Sequence, residues 1–222
     1  MNFVVALSFT GACEESFRFT VTDREGQIQW TVGLNAAQSK ERSILFLHIL
    51  VILMSGSCTK IGLDPNIEID HTGKCVAITL QERHFEVVDL IYSLDSIVGH
   101  GTRVWIVMYG GIRYTLKDSW VQHNRVDSEV SMLKKMRSIK ELAGHVPTLF
   151  CGGVVQIDGV VDSTELYRAG LPGWLAKCQC VHRQLVCTPI GEGLDEYRSK
   201  QEFIKAIISI ILSASLCSQR VW

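Results

Sequence analysis

The chain has 222 residues, 47% of them hydrophobic and 20% charged, with only four prolines. This excludes a peptide or a disordered tail and allows one large or two small globular domains. The 22 basic residues face 23 acidic ones, a formal charge of -1, which leaves no electrostatic footprint for nucleic acid.

Eight cysteines (Cys13, Cys58, Cys75, Cys151, Cys178, Cys180, Cys187 and Cys217) are spread along the chain without framework spacing. That usage predicts reduced thiols and an intracellular protein, cytoplasmic or nuclear. The apolar stretch at residues 3–13 has no Lys or Arg before it and reads as a strand, not a signal peptide. Residues 44–54, interrupted by His48, fall short of the ~20 residues a bilayer needs and predict a buried core helix. Residues 203–217 are also short and carry Lys205, Ser209, Ser213 and Ser215, so no membrane span is expected.

In chain order, Phe17, Phe19 and Val21 alternate, Asp23-Arg24-Glu25-Gly26 turns the chain, and Ile28 and Trp30 alternate again, which predicts a hairpin. A helix over 36–54 follows. A second hairpin has Ile67 and Ile69 on one arm, a turn at residues 70–73, and Val76, Ile78 and Leu80 on the other. These elements predict a small α+β unit over residues 1–90. Residues 87–120 then read as three strands, separated by Gly99-His100-Gly101 and by Tyr109-Gly110-Gly111. A helix is expected over 126–139 and further strands over 148–157 and 181–188. The loop between those two strands contains Gly170-Leu171-Pro172-Gly173 and Trp174. Ser199-Lys200-Gln201-Glu202 is a capping box that opens a last helix.

Three features point to nucleotide chemistry. Gly99 and Gly101 lie between two strands, where glycine permits the close backbone approach that a loop over phosphates needs. A plain hairpin loop is the competing account, because Val104 stands where a third glycine of GxGxxG would be. In the run ending at Lys117, the period of two places Lys117 on one face with Thr115 and Arg113, opposite Ile112, Tyr114 and Leu116. On the following helix Val126, Val130, Leu133 and Met136 form an apolar stripe that includes Glu129. A carboxylate in such a stripe needs a partner, and Lys117 is the expected one.

Gly99-His100-Gly101-Thr102-Arg103-Val104-Trp105, Leu116-Lys117-Asp118-Ser119-Trp120 and Glu129, in that order, resemble the fungal-specific protein kinase family. Residues 181–186, Pro189-Ile190-Gly191 and Leu194 resemble that family's fifth strand and hinge. Gly62-Leu63-Asp64-Pro65 and the first hairpin resemble its N-terminal extension. The resemblance implies an α+β fold: a family-specific extension over 1–90, then over 91–222 a kinase N-lobe of five antiparallel strands and one helix, with the C-lobe largely missing. It implies an ATP site in which Gly99, Gly101, Thr115, Lys117 and Glu129 take part.

A kinase also needs a catalytic-loop aspartate and metal-binding Asn and Asp groups. His182-Arg183-Gln184-Leu185 mimics the start of that loop, but Gln184 cannot act as a base. No catalytic residue is therefore assigned. ATP binding is expected to be weak or vestigial, Mg²⁺ is not expected, and phosphoryl transfer by this chain is not expected. The alternative is a pseudokinase-like module whose protein partner takes the surface a C-lobe would cover. Cys178, Cys180 and His182 alternate on one strand but lack zinc spacing, so no metal site is expected. Cys151 and Cys187 read as strand-core residues and His48 as a helix-core histidine.

Overall fold

The computed structural model describes residues 2–10, 16–33, 39–56, 58–94, 96–124, 128–142, 144–173, 179–193 and 196–220. Val126, Trp174, Cys178 and Leu194, singled out above, lie outside this set.

Strands β1 (Val4–Thr10), β2 (Ser16–Asp23) and β3 (Gly26–Gly33) form an antiparallel sheet in that order. The predicted hairpin is β2–β3, closed by the pair Asp23↔Gly26, with Gly26 at φ +133 where a side chain would strain the turn. Helix α1 (Ser39–Ser55) packs on this sheet through Phe46, whose ring lies 5.0 Å from that of Phe17.

The expectation of a buried α1 is corrected. Leu47, Val51, Ile52 and Met54 are exposed, Met54 by 85%, and so is His48. The helix is apolar all round, so its sequence singles out no core-facing stripe. The sheet of β1–β3 covers only one side.

The second sheet has seven strands, where five were expected. In addition to β6 (Arg83–Ser93), β7 (Arg103–Tyr109), β8 (Ile112–Gln122), β9 (Thr148–Val154) and β12 (Cys180–Thr188), it takes in β4 (Ile67–Ile69) and β5 (Cys75–Leu80). Its order is β4-β5-β6-β7-β8-β12-β9, and every neighbouring pair is antiparallel. Residue 90 lies within β6. The second hairpin joins the sheet because Ile78 and Leu80 share a core with Phe85, Trp105, Val107, Tyr114, Leu116, Cys151 and Val186. Strands from β5 to β9 feed that single core, so the sheet curls around it. The Gln81 side chain reaches across the curl to donate to the Gly152 carbonyl at 3.4 Å.

On the outer face of β12 lies α2 (Glu129–Ser138), which packs Leu133, Val130 and Met136 against Leu185, Cys187 and Leu149. Ser128 caps it by accepting from the Ser131 amide at 3.0 Å. The stretch read as one strand over 148–157 is divided, with β10 (Gln156–Ile157) pairing β11 (Val160–Val161) in a small separate sheet. The following loop contains a one-turn helix, α3 (Thr164–Tyr167), that its polar sequence did not announce. Cys75, Cys151, Cys180 and Cys187 are free thiols.

Helix α4 (Lys200–Arg220) begins at the expected box, where Ser199 Oγ accepts from the Glu202 amide at 3.2 Å and the Glu202 carboxylate accepts from the Arg198 amide at 2.8 Å. Ile204, Ile208, Ile210, Ile211 and Leu212 face solvent. Among the described residues, no helix is long and apolar enough to cross a membrane.

Covering such side chains is worth about 1.5 to 3 kcal/mol each, so the exposed row on α4 predicts association. Full-length protein should scatter light as oligomers and bind a dye for apolar surface more strongly than a chain shortened to residues 1–200, which keeps only the exposed row on α1. Equal, monomeric behaviour would show that the helix finds cover within the chain.

Candidate functional site

Strand β8 presents two chemistries on its two faces. Lys117, Ser119 and Val121 point toward α2, while Leu116, Asp118 and Trp120 point into the curl. On the α2 side, Lys117 Nζ donates to both carboxylate oxygens of Glu129, each at 2.8 Å. The pair is partly solvated, with the two side chains 32% and 46% exposed. It therefore holds the lysine in place more than it stabilises the fold, since exposed pairs contribute about 0 to 1 kcal/mol. Thr115 pairs with Ile106 and Lys117 with Val104 across β7. Directly paired residues share a face, so Val104, Ile106, Thr115 and Lys117 form one strip.

Beside Lys117 a cavity of about 300 Å³ opens between β8, β12 and α2, lined by Lys117, Ser119, Val121, Glu129, Val130, Arg183 and Leu185 among others. Arg183 pairs with Ser119 across β12, and its buried Nε has no hydrogen-bond partner among the described residues. Two cations and a hydroxyl thus border one concavity that holds a single carboxylate. Such a lining favours an anion.

The loop at 96–102 is held by the first hairpin. Gly99 (φ +91) donates its amide to the Arg24 carbonyl at 2.8 Å, and Arg24 Nη1 donates to the carbonyls of Ser96 and Ile97 at 2.8 and 2.9 Å. A Cβ on Gly101 would fall 2.0 Å from Arg24 Nη1. The space that Gly101 leaves is thus filled by a guanidinium. His100 and Trp120 exchange contacts, the Trp120 amide donating to the His100 carbonyl at 2.8 Å and His100 Nδ1 meeting the Trp120 carbonyl at 2.8 Å.

The hairpin tip carrying Arg24 is itself clamped. Arg168, at the end of α3, donates to both Asp23 oxygens at 2.7 and 2.5 Å and lies 3.4 Å from Glu25, and Thr164 donates to Glu25. Arg24 sits 5.8 Å over the Trp120 ring, a cation-π placement. On its other contact Trp120 stacks on His182 at 4.8 Å, with planes 2° apart.

His182 is 1% exposed and lies between two carboxylates. Its Nδ1 meets Asp162 at 2.7 Å and its Nε2 meets Asp118. Carboxylates only accept, so both ring nitrogens donate and the ring is an imidazolium. Burial pulls its pKa down, but Asp118, Asp162 and Asp64 outweigh burial and push it up to about 10. Burial likewise works against the Asp118 charge, yet His182 and the Gln184 amide at 3.1 Å hold its pKa below the usual range. Burial raises the pKa of Asp64, with His182 opposing.

Of the residues marked from sequence, Lys117 and Glu129 are brought together, and Thr115 shares their face. Gly99 and Gly101 lie in the loop that Arg24 holds. Cys180 and His182 both sit on β12, with His182 taken by Asp118 and Asp162. The network of Asp23, Arg24, Asp118, Asp162, Arg168 and His182 was not anticipated. One signal for it was readable: Asp118 interrupts the inward row Tyr114, Leu116, Trp120, where a charge needs a buried partner.

This geometry predicts that Arg24→Ala speeds amide exchange at residues 96–102 by 10-fold or more, since two charge-assisted bonds of about 1.5 to 3 kcal/mol each are lost. Exchange by mass spectrometry checks it. Unchanged protection of the loop would show that β7 and β8 hold it without the hairpin.

The sequence profile of the family described as Fungal protein kinase matches residues 1–177. The match spans both the hairpin that carries Arg24 and the strand that carries Lys117, and it stops before β12. No curated protein and no solved structure matches the chain. With four-fifths of its length inside that profile and Lys117 paired to a helix carboxylate, the chain belongs to the fungal protein kinase family.

Proposed function

We propose that this fungal protein kinase chain binds the phosphate end of an ATP-class nucleotide on the Lys117 face of its sheet, and that these residues by themselves do not transfer the phosphoryl group. The observation that carries the reading is Lys117 Nζ at 2.8 Å from both Glu129 oxygens. A lysine fixed by a helix carboxylate is the arrangement kinases use to hold nucleotide phosphates. Strands β6, β7, β8, β12 and β9 lie side by side in that order with α2 against β12, which supports correspondence to a kinase N-lobe. On this reading residues 1–90 are the family extension, residues 189–193 the hinge, and α4 the first helix of a C-lobe.

Each group has a role in binding. Val104, Ile106 and Thr115 offer a flat surface for a base, while Lys117, Ser119 and Arg183 border the cavity that would take phosphate oxygens. At about 300 Å³ the cavity is at the lower limit for ligand pockets, so much of the nucleotide would stay in solvent and affinity would be low. Among the described residues, the carboxylate that lines the cavity, Glu129, is taken by Lys117, and the strand position resembling a catalytic aspartate is Gln184. The Gln184 amide faces Asp118 inside the curl. Its buried Oε1 has no hydrogen-bond partner among the described residues. Magnesium would have to be held by groups from elsewhere.

A second reading, a protein-interaction module of pseudokinase type, is favoured by the aliphatic row on α4. The two readings are compatible if the partner supplies the cover that α4 lacks.

Nucleotide affinity should be weak and unchanged by Mg²⁺. Lys117→Met and Arg183→Gln should each lower it about 10-fold, the worth of one charge-assisted hydrogen bond. Displacement of a fluorescent ATP analogue, with and without Mg²⁺, measures both. Tight Mg²⁺-dependent binding, or phosphorylation above that of Lys117→Met, would contradict the proposal.

A further inference from the structure

Inside the curl, on the face of β8 away from Lys117, three carboxylates surround one imidazole. Asp118 comes from β8 and His182 from β12. Asp162 follows β11, and its amide donates to the Val155 carbonyl at 3.0 Å while its carbonyl accepts from the His182 amide at 2.9 Å. Asp64 precedes β4. Its Oδ1 accepts from the Asn66 amide at 2.9 Å, but its Oδ2 is buried with no hydrogen-bond partner among the described residues and lies 3.8 Å from His182 Nδ1. Asp64, Asp162 and His182 each turn a ligand atom inward, and these atoms lie within 4.8 Å of one another. All three residues are buried, Asp64 by 94% with an exposure of 6%.

Hydrogen bonding inside the protein accounts for Asp118 and Asp162 and leaves Asp64 over. His182 has two N–H groups, and both are taken. Asp64 Oδ2 is thus a buried carboxylate oxygen aimed at an imidazole nitrogen whose proton Asp162 already holds, a costly arrangement in a dry site. A divalent ion in place of the Nδ1 proton would engage both carboxylates at once. Nε2–H would still donate to Asp118, the carboxylate–histidine–metal relay that orients ligating imidazoles. Asp162 is also pre-oriented, by the Asn2 amide at 3.2 Å and by the Tyr167 hydroxyl. Bonds of about 2.0 to 2.2 Å bring ligand atoms to roughly 4 Å apart or less, so the three atoms need only a small inward rotation.

We propose that Asp64, Asp162 and His182 Nδ1 bind one first-row divalent cation, joining the loop before β4 to β12. One imidazole with two carboxylates suits Mn²⁺, Fe²⁺ or Zn²⁺ better than Ca²⁺ or Mg²⁺. The site lies on the opposite face of β8 from Lys117 and is structural, independent of nucleotide binding.

The test uses the full chain stripped with a chelator and titrated with Mn²⁺, which competes poorly for the eight cysteines. One equivalent should bind, its pulsed electron-spin resonance should show coupling to one imidazole nitrogen, and Tm should rise by several degrees at 100-fold excess over Kd. Asp64→Asn keeps the acceptor for the Asn66 amide but removes the carboxylate oxygen that would bind the ion. Without metal it should be as stable as the parent or more so, and it should lose both the nitrogen-coupled Mn²⁺ and the Tm rise. Asp70→Asn, on an exposed turn, should change neither. If Asp64→Asn does not fold, the stoichiometry and nitrogen coupling of the parent chain decide. No nitrogen-coupled Mn²⁺ in the parent chain, or its retention in Asp64→Asn, overturns the proposal.

Discussion

The stack of Arg24, Trp120 and His182 is the contact on which the rest of the molecule depends. Trp120 is 1% exposed, with the Arg24 guanidinium over its ring and the His182 imidazolium stacked on it. Each cation is tied to a different part of the chain. His182 joins β12 to Asp118 of β8 and to Asp162, while Arg24 joins the first hairpin to the loop at 96–102. Buried charges in such a cluster are tolerable only as a set. Losing one member of a buried pair commonly costs about 3 to 5 kcal/mol, a large part of a domain's margin.

That dependence explains why the first hairpin and the large sheet behave as one construction although they form separate sheets. The hairpin contributes its turn, not its strands. Asp23 and Glu25 fasten the turn to Arg168 and Thr164, and Arg24 passes between Gly101 and Trp120. The glycine loop is thereby supported by that turn. The first hairpin then has a physical task, which is to fix the backbone at 96–102. The alternation of β8 keeps the two jobs apart, because Lys117 and Asp118 are neighbours in sequence and point to opposite sides.

The pairing of Lys117 with Glu129 was legible in the sequence. Period two placed Lys117 and Thr115 together, period 3.6 put Glu129 in the stripe of its helix, and the structure joins Lys117 to Glu129. The hairpins were legible for the same reason, through alternation bounded by turn residues. Three features were not. Helix α1 is apolar on every side, so burial could not be read from its pattern, and only its neighbours decide that Met54 stays in water. The β4–β5 hairpin joins the large sheet through β6, which follows β5 after a two-residue turn at Gln81 and Glu82, both at positive φ, and neither is a residue type that marks such a turn. The Arg24 clamp depends on contacts to Ser96, Ile97 and Trp120, more than 70 residues away, where a charged turn looks like any solvated loop.

The central claim is that Lys117, held by Glu129, faces a bound nucleotide. An acyl-phosphate analogue of ATP transfers its tag to whichever lysine lies beside the phosphates, and mass spectrometry identifies that lysine. The account predicts labelling at Lys117, suppressed by excess ATP and lost in Glu129→Ala, which frees the lysine without removing it. Labelling spread over exposed lysines such as Lys74, Lys134 and Lys135, or labelling at Lys117 that ATP does not suppress, would contradict it.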